Sequence, residues 1–347
     1  TKSSIKVISI NSVYTSLHAS LPSVTATQPL LPNKRQLKCG YDRFLLVGSL
    51  MTYYALLKER EVIDVAGHDS RTFLQGMISN NIDNLHPKQS MYAAMLTPQG
   101  KYLYDFIVID KTPAIWMDAE RTRCDALATR LNLFRLNSDV RINRQGQALT
   151  VVAIWGAEAL SCVGLKDEVG STSPFGGGLA LTDPRHSSLG SRLIVPTTDI
   201  DSLMSSLGVE KASSTAYDSH RLHLGIPDGS RDLVVDKSFL LESNFEDLNG
   251  VAFDKGCYIG QENTARQKYR GTVRKRLVKV NINGPAPDPN TPVTWRNDEI
   301  GTMRSSRDGQ GIAMIRLDRW EKANKEGATL HAGSAVVVPI KPDWARF

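Results

Sequence analysis

The sequence predicts an α+β protein in which mixed-sheet lobes precede a small C-terminal β-barrel. Three observations carry that expectation. Strand-like and helix-like segments mix between residues 52 and 275 without the regular strand–helix–strand spacing of a doubly wound sheet. Past Lys275, five short strand-like segments at 277–282, 293–295, 299–305, 311–316 and 335–340 suit a closed barrel. With 347 residues and 41% hydrophobic content, the chain can fill two or three packed units. The boundaries expected are a leader over 1–48, two α+β lobes over 49–275 and the barrel over 276–347.

The elements follow in order. A short helix is expected at 52–57, a strand at 61–67, and a helix begun by Asp69 or Ser70 with Phe73, Leu74, Met77 and Ile78 as its buried stripe. Segments 90–96 and 101–110 read as a hairpin joined by Pro98-Gln99-Gly100, the glycine supplying positive φ. A strand at 114–118 leads into a helix over 121–136 with Leu127, Leu131 and Phe134 inward. Strands follow at 139–143, 148–153 and 191–196, with helices near Ala157 and Asp199 and a loop at 171–178. Residues 215–225 form a helix stopped by Gly225 and Pro227. Pro285, Pro287 and Pro289 make 283–291 a loop, and Trp320 and Trp344 are assigned to the barrel core. There are no internal repeats.

The bulk properties exclude several functions. A net charge of +6 comes without an aromatic-interleaved basic motif or zinc-finger spacing, so weak attraction for anions replaces a nucleic-acid reading. The longest apolar candidate, 44–57, is broken by Gly48, Ser49 and Thr52 and is too short to cross a bilayer. The cysteines at 39, 124, 162 and 257 form no C-x-x-C pair, which points to a reducing compartment and leaves any iron-sulfur cluster to be shared with another molecule. Among the histidines, only His220 and His223 share a helix face. Residues 1–38 hold five bases, many hydroxyls and no Asp or Glu, which fits a mitochondrial transit segment and equally a plain leader arm.

Residues 255–262 read K-G-C-Y-I-G-Q-E. They place Cys257 in a glycine-flanked turn that runs into a helix, where outward N–H groups and the Lys255 cation favour thiolate. Gly256 and Gly260 suit a sharp bend or a close approach. A small packing cysteine is the plain alternative, and simple capping is the plain alternative for Gln261 and Glu262. After the motif, Arg266, Lys268, Arg270, Arg274, Lys275, Arg276 and Lys279 form a basic run, which is either a solvated face or an attractor of anions.

The octapeptide resembles the signature of the YgfZ family of folate-binding-fold proteins, which includes mitochondrial iron-sulfur cluster assembly factors and is related to the aminomethyltransferase (T-protein) of glycine cleavage. Further segments agree in order: V-I-D-V-A-G at 62–67 with F-L-Q-G at 73–76, T-P-Q-G-K at 97–101, Arg221 to Pro227, K-R-L at 275–277, and 301–305. The resemblance covers roughly residues 55 to 340. It implies a T-protein-like fold, a tetrahydrofolate pocket, and a part in late [4Fe-4S] cluster maturation in the mitochondrial matrix with A-type scaffold proteins as partners. It also implies roles for residues. Cys257 would be nucleophile or transient cluster ligand and Lys255 its cation. Gly256 and Gly260 would give backbone access, with Asp105, Arg221, Tyr258, Gln261, Glu262 and Arg266 on folate. Two alternatives stand beside this: a folate-dependent aminomethyltransferase, and a folate-binding adaptor without turnover. T-proteins carry two adjacent acids where this chain has Tyr104 and Asp105, which counts against the transferase.

Overall fold

The computed structural model describes residues 51–271 and 273–347. The leader expected over 1–48, with His18 and Cys39, lies outside the described residues. The first two strands, β1 (Thr52–Leu56) and β2 (Arg60–Ala66), go to different sheets. A strand thus replaces the helix expected at 52–57. Thr52, Tyr53 and Tyr54 are β-branched or aromatic and fit a pleated surface, and Tyr53 lies opposite Trp155 with ring centroids 5.9 Å apart.

The first lobe adds α1 (Ser70–Met77), β3 (Met91–Leu96), β4 (Tyr102–Lys111), β5 (Ala114–Glu120), α2 (Cys124–Phe134) and β6 (Arg141–Arg144). Its antiparallel sheet runs β3-β4-β5-β2-β6. The expected β3–β4 hairpin is present, with Gly100 at φ +75°. Leu74 and Met77 bury one face of α1, and Leu127 and Leu131 do so for α2. Phe134, expected inward, is 37% exposed, because α2 ends there and the chain leaves through Leu136 at φ +46°.

The second lobe consists of β7 (Leu149–Gly156), β8 (Thr172–Phe175), β9 (Gly178–Thr182), β10 (Ser191–Pro196), α3 (Ile200–Leu207) and β11 (Glu210–Lys211). Its mixed sheet runs β11-β1-β7-β10-β9-β8, with β11 parallel to β1. The loop expected at 171–178 is a hairpin instead. Gly176 and Gly177 both take positive φ, +53° and +74°, which matches the twist of flanking strands. The helix expected near Ala157 shrinks to a 3-10 turn at Ser161–Val163.

Next come α4 (Ser214–Leu224), closed by Gly225 at φ +72°, the short α5 (Gly229–Asp232) and α6 (Gln261–Arg270). The tail folds as a closed antiparallel barrel. It is built from β12 (Lys275–Asn283), β13 (Pro292–Trp295), β14 (Asp298–Arg307), β15 (Gln310–Arg316), β16 (Leu330–Ala332) and β17 (Ala335–Ile340), in the order β12-β15-β14-β13-β16-β17. A helix, α7 (Leu317–Lys325), follows β15. Trp320 packs on the barrel core as expected. Trp344 does not: it packs on the central core, and its indole N–H donates to the Leu224 carbonyl at 2.8 Å. That central core joins both sheets, through Val62, Ile107, Ala153 and Ile194, to the barrel residues Leu277 and Ile312.

Candidate functional site

Two glycine turns that touch build the site. A Cβ on Gly260 would sit 2.5 Å from the Thr97 carbonyl oxygen and 3.1 Å from the Gly100 Cα, and one on Gly100 would sit 3.0 Å from the Gly260 carbonyl oxygen. With φ at +86°, Gly260 also needs the left-handed region that side chains avoid. The Asn263 amide of α6 donates to the Gln99 carbonyl at 2.7 Å, and the Ile259 N–H to the Gly76 carbonyl at 3.1 Å. The motif loop is thus pinned between the β3–β4 turn and α1. Gly256 has a different surrounding: a Cβ there would meet nothing within 4 Å.

Cys257 is exposed, in this turn, with three residues between it and the first residue of α6. Lys255 serves the fold. Its buried ammonium donates to the carbonyls of Gln75, Ile78 and Asn80 at 2.8, 2.7 and 2.8 Å, filling the acceptors left open where α1 ends. Burial pushes its pKa down to about 8, with Asp83 opposing. The cation expected beside the thiol is therefore committed to backbone oxygens. Tyr258 is buried in the central core, its phenol pushed up to about 12 by burial with the Thr264 hydrogen bond opposing.

Cys257, Tyr258, Gln261, Glu262 and Arg266 line one open groove of about 910 Å³. Pro98, Phe134, Tyr269 and Arg270 complete its walls. The groove has an apolar border: Tyr269 is 68% exposed, and beside Phe134 in sequence Leu133 and Leu136 are 71% and 83% exposed. Arg266 pairs with Glu262 at 3.1 Å at the surface. The basic run is partly neutralised, since Lys268 pairs with Glu246, and Arg276 reaches the Leu241 carbonyl at 2.6 Å and Asp247 at 3.6 Å.

The other two expected ligand contacts lie elsewhere. The groove lining includes neither Asp105 nor Arg221. Asp105 is buried on β4, and its two carboxylate oxygens accept from the hydroxyls of Tyr102 (2.6 Å) and Tyr92 (2.9 Å). Burial raises its pKa, with Arg60 opposing. Arg221 is buried in α4 and donates to Asp218 (2.6 Å), Asp232 (2.6 Å), the Ile226 carbonyl (3.2 Å) and the Ser305 hydroxyl (3.0 Å). Each of these two groups already has its partners, and both lie outside the groove that Tyr258, Gln261, Glu262 and Arg266 line. The histidine pair is likewise structural. His220 Nε2 lies 2.9 Å from the Ser188 carbonyl oxygen, its ring stacks on Trp155 and burial lowers its pKa to about 4, while His223 faces Gln310. Among the described residues no three His, Cys, Asp or Glu side chains gather to hold a metal.

Sequence reasoning missed a buried ion-pair network around Arg60, Asp118, Asp183, Arg185 and Arg192. Charges flanked by apolar residues within strands, Asp118 in W-M-D-A and Arg192 in S-R-L-I-V-P, were its available signal.

Two α+β lobes closed by a six-stranded barrel define the aminomethyltransferase class of fold. The solved glycine cleavage system aminomethyltransferase T of Bartonella henselae matches with a TM-score of 0.69 over 85% of this chain and 86% of that one, at 15% identity, which is a likeness of fold alone. Residues 274–347 match the family model of the CAF17 C-terminal beta-barrel domain. The iron-sulfur cluster assembly factor IBA57 homolog, mitochondrial, of Neurospora crassa is 32% identical over 67% of this chain, which spans about half, 54%, of that protein's length. The protein of that same name in Aspergillus oryzae is 31% identical over 84% of this chain and 81% of its own length. This chain belongs to the IBA57 family of iron-sulfur cluster assembly factors.

Proposed function

We propose that this chain works in the mitochondrial matrix at a late step of [4Fe-4S] maturation, where the Cys257 thiolate is one ligand of a cluster shared with an A-type scaffold protein. The relatives are named as mitochondrial cluster assembly factors, which supports the compartment and the process. One observation carries the residue assignment: of the three described cysteines, Cys257 alone is exposed and lines an open groove. Cys124 is buried, its thiol pushed up to about 12 by burial with Glu61 adding to the rise, and burial also raises Cys162. A thiolate is the iron ligand, so a solvated thiol is the competent one.

The cluster is cargo. One thiol cannot hold it, and no metal-binding group of side chains gathers among the described residues, so the remaining ligands come from the partner. Cys257 loses its proton to solvent as its sulfur bonds iron. The exposed rings of Phe134 and Tyr269 offer apolar anchors, and Arg266 and Arg270 favour an acidic partner rim. Lys255 and Gly260 hold the loop in place for this contact. The aminomethyltransferase reading is disfavoured because Asp105, the acid remaining at its position, is held by two tyrosine hydroxyls.

The test is anaerobic transfer of a [4Fe-4S] cluster to an apo client from the mixture of this chain and a purified A-type scaffold protein. Cys257→Ser keeps scaffold binding and loses transfer if the thiol is a ligand. Undiminished transfer would leave an adaptor that works without its sulfur.

A further inference from the structure

The family resemblance implies a tetrahydrofolate pocket that includes Asp105 and Arg221, and the side chains packed around those two residues argue against one there. Asp118, on β5, is fully buried and takes Arg60 of β2 at 2.8 Å on one oxygen and Arg192 of β10 at 2.7 Å on the other. Arg192 also reaches Asp183, just past β9, at 3.2 Å, and Arg185 grips both Asp183 oxygens at 2.9 and 2.8 Å. Each of these five side chains is more than nine-tenths buried. A second, separate set lies toward the barrel: Arg221 and Asp218 of α4 and Asp232 of α5 pair with one another and with Ser305 and Arg307 of β14. The first set ties the two lobes together, and the second ties α4 and α5 to the barrel.

Directly against Asp105 the packing is closed, and the groove of about 410 Å³ that Tyr92 borders with Ser90, Pro184, Asn249 and Phe253 is lined by neither Asp105 nor Arg221. The Tyr92 ring stacks on Phe245 at 4.8 Å, a Cβ on Gly229 would sit 3.2 Å from the Asp105 carboxylate, and the hollow beside Asp105 and Tyr104 has no room for a water molecule. The cavity bounded by Arg60, Arg192, Tyr217 and Asp228 holds about 230 Å³. Small-molecule sites are typically about 300–1,000 Å³. A pterin with its benzoyl-glutamate tail would have to displace paired arginines, and each displaced pair leaves a buried charge without a partner.

We infer that the interior of this chain is a permanent ion-pair core, and that tetrahydrofolate is not held at Asp105 and Arg221. The inference is independent of the cluster role. Its test is an anaerobic calorimetric titration of the full chain with tetrahydrofolate, paired with thermal melts at millimolar ligand. The variants are Asp105→Asn and the milder Tyr102→Phe in the interior, and Tyr269→Ala in the groove. The expected result is no saturable heat and no rise in melting temperature, or else binding that Tyr269→Ala weakens tenfold or more and both interior variants leave intact. Saturable binding that either folded interior variant weakens tenfold or more, while Tyr269→Ala leaves it unchanged, would overturn the inference.

Discussion

Asp118→Asn removes one negative charge from the centre of the network and keeps the side chain's shape. In the native chain that carboxylate serves two arginines from different lobes, at 2.8 and 2.7 Å, with no solvent exposure. Breaking a buried pair by removing one partner costs about 3–5 kcal/mol, and the amide's remaining acceptor places this variant near the lower end, about 3 kcal/mol. About 300 residues fold here; at about 2.1 cal/mol/K of unfolding entropy per residue, that loss lowers the melting temperature by ~5 °C. Differential scanning calorimetry at pH 7 measures it. The shift should persist in high salt, because a pair shielded from solvent is screened little. A double variant with Arg60→Gln should lose less than the sum of the single losses, since the two side chains share one interaction. A drop below about 1 °C, or one that disappears in high salt, would refute the reasoning.

Three other outcomes follow from the geometry. Gly260→Ala forces a side chain into φ +86° and against the Thr97 carbonyl, so it should cost at least about 1–3 kcal/mol in chemical denaturation and change the alkylation rate of Cys257 in the folded protein. His220 stays neutral in the folded chain with a pKa near 4, whereas the unfolded chain protonates it near 6.5. The unfolded state thus binds the extra proton between those values, and stability falls as pH drops from 6.5 to 4, by about 2–3 kcal/mol after allowing for partial exposure; His220→Gln should flatten that part of a denaturation-versus-pH curve. Phe134→Ala with Tyr269→Ala should weaken binding to an A-type scaffold protein by about 2 kcal/mol or more, a rise in Kd above tenfold by calorimetry, while leaving the melting temperature of the free chain within a degree or two.

Much of the fold was legible because it rests on local patterns. The β3–β4 hairpin follows from Gly100, the end of α4 from Gly225, and the barrel from its spaced short strands. Misreadings occurred where a long-range partner decides the outcome. The segment 52–57 is a strand because Trp155 waits about a hundred residues away, and the Gly176-Gly177 turn closes a hairpin that looked like a loop. At the site, the motif gave the exposed thiol and the groove residues that follow it. It could not give the partners of Lys255, whose three carbonyls lie about 180 residues earlier, nor show that Asp105 and Arg221 face inward to groups of their own.

The most direct measurement is native mass spectrometry of the anaerobically reconstituted complex with an A-type scaffold protein. One copy of each chain bound to a single cluster, with iron and sulfide lost from the Cys257→Ser complex while the two chains stay together, is the predicted spectrum. A Cys257→Ser complex that retains the full cluster mass would contradict the account.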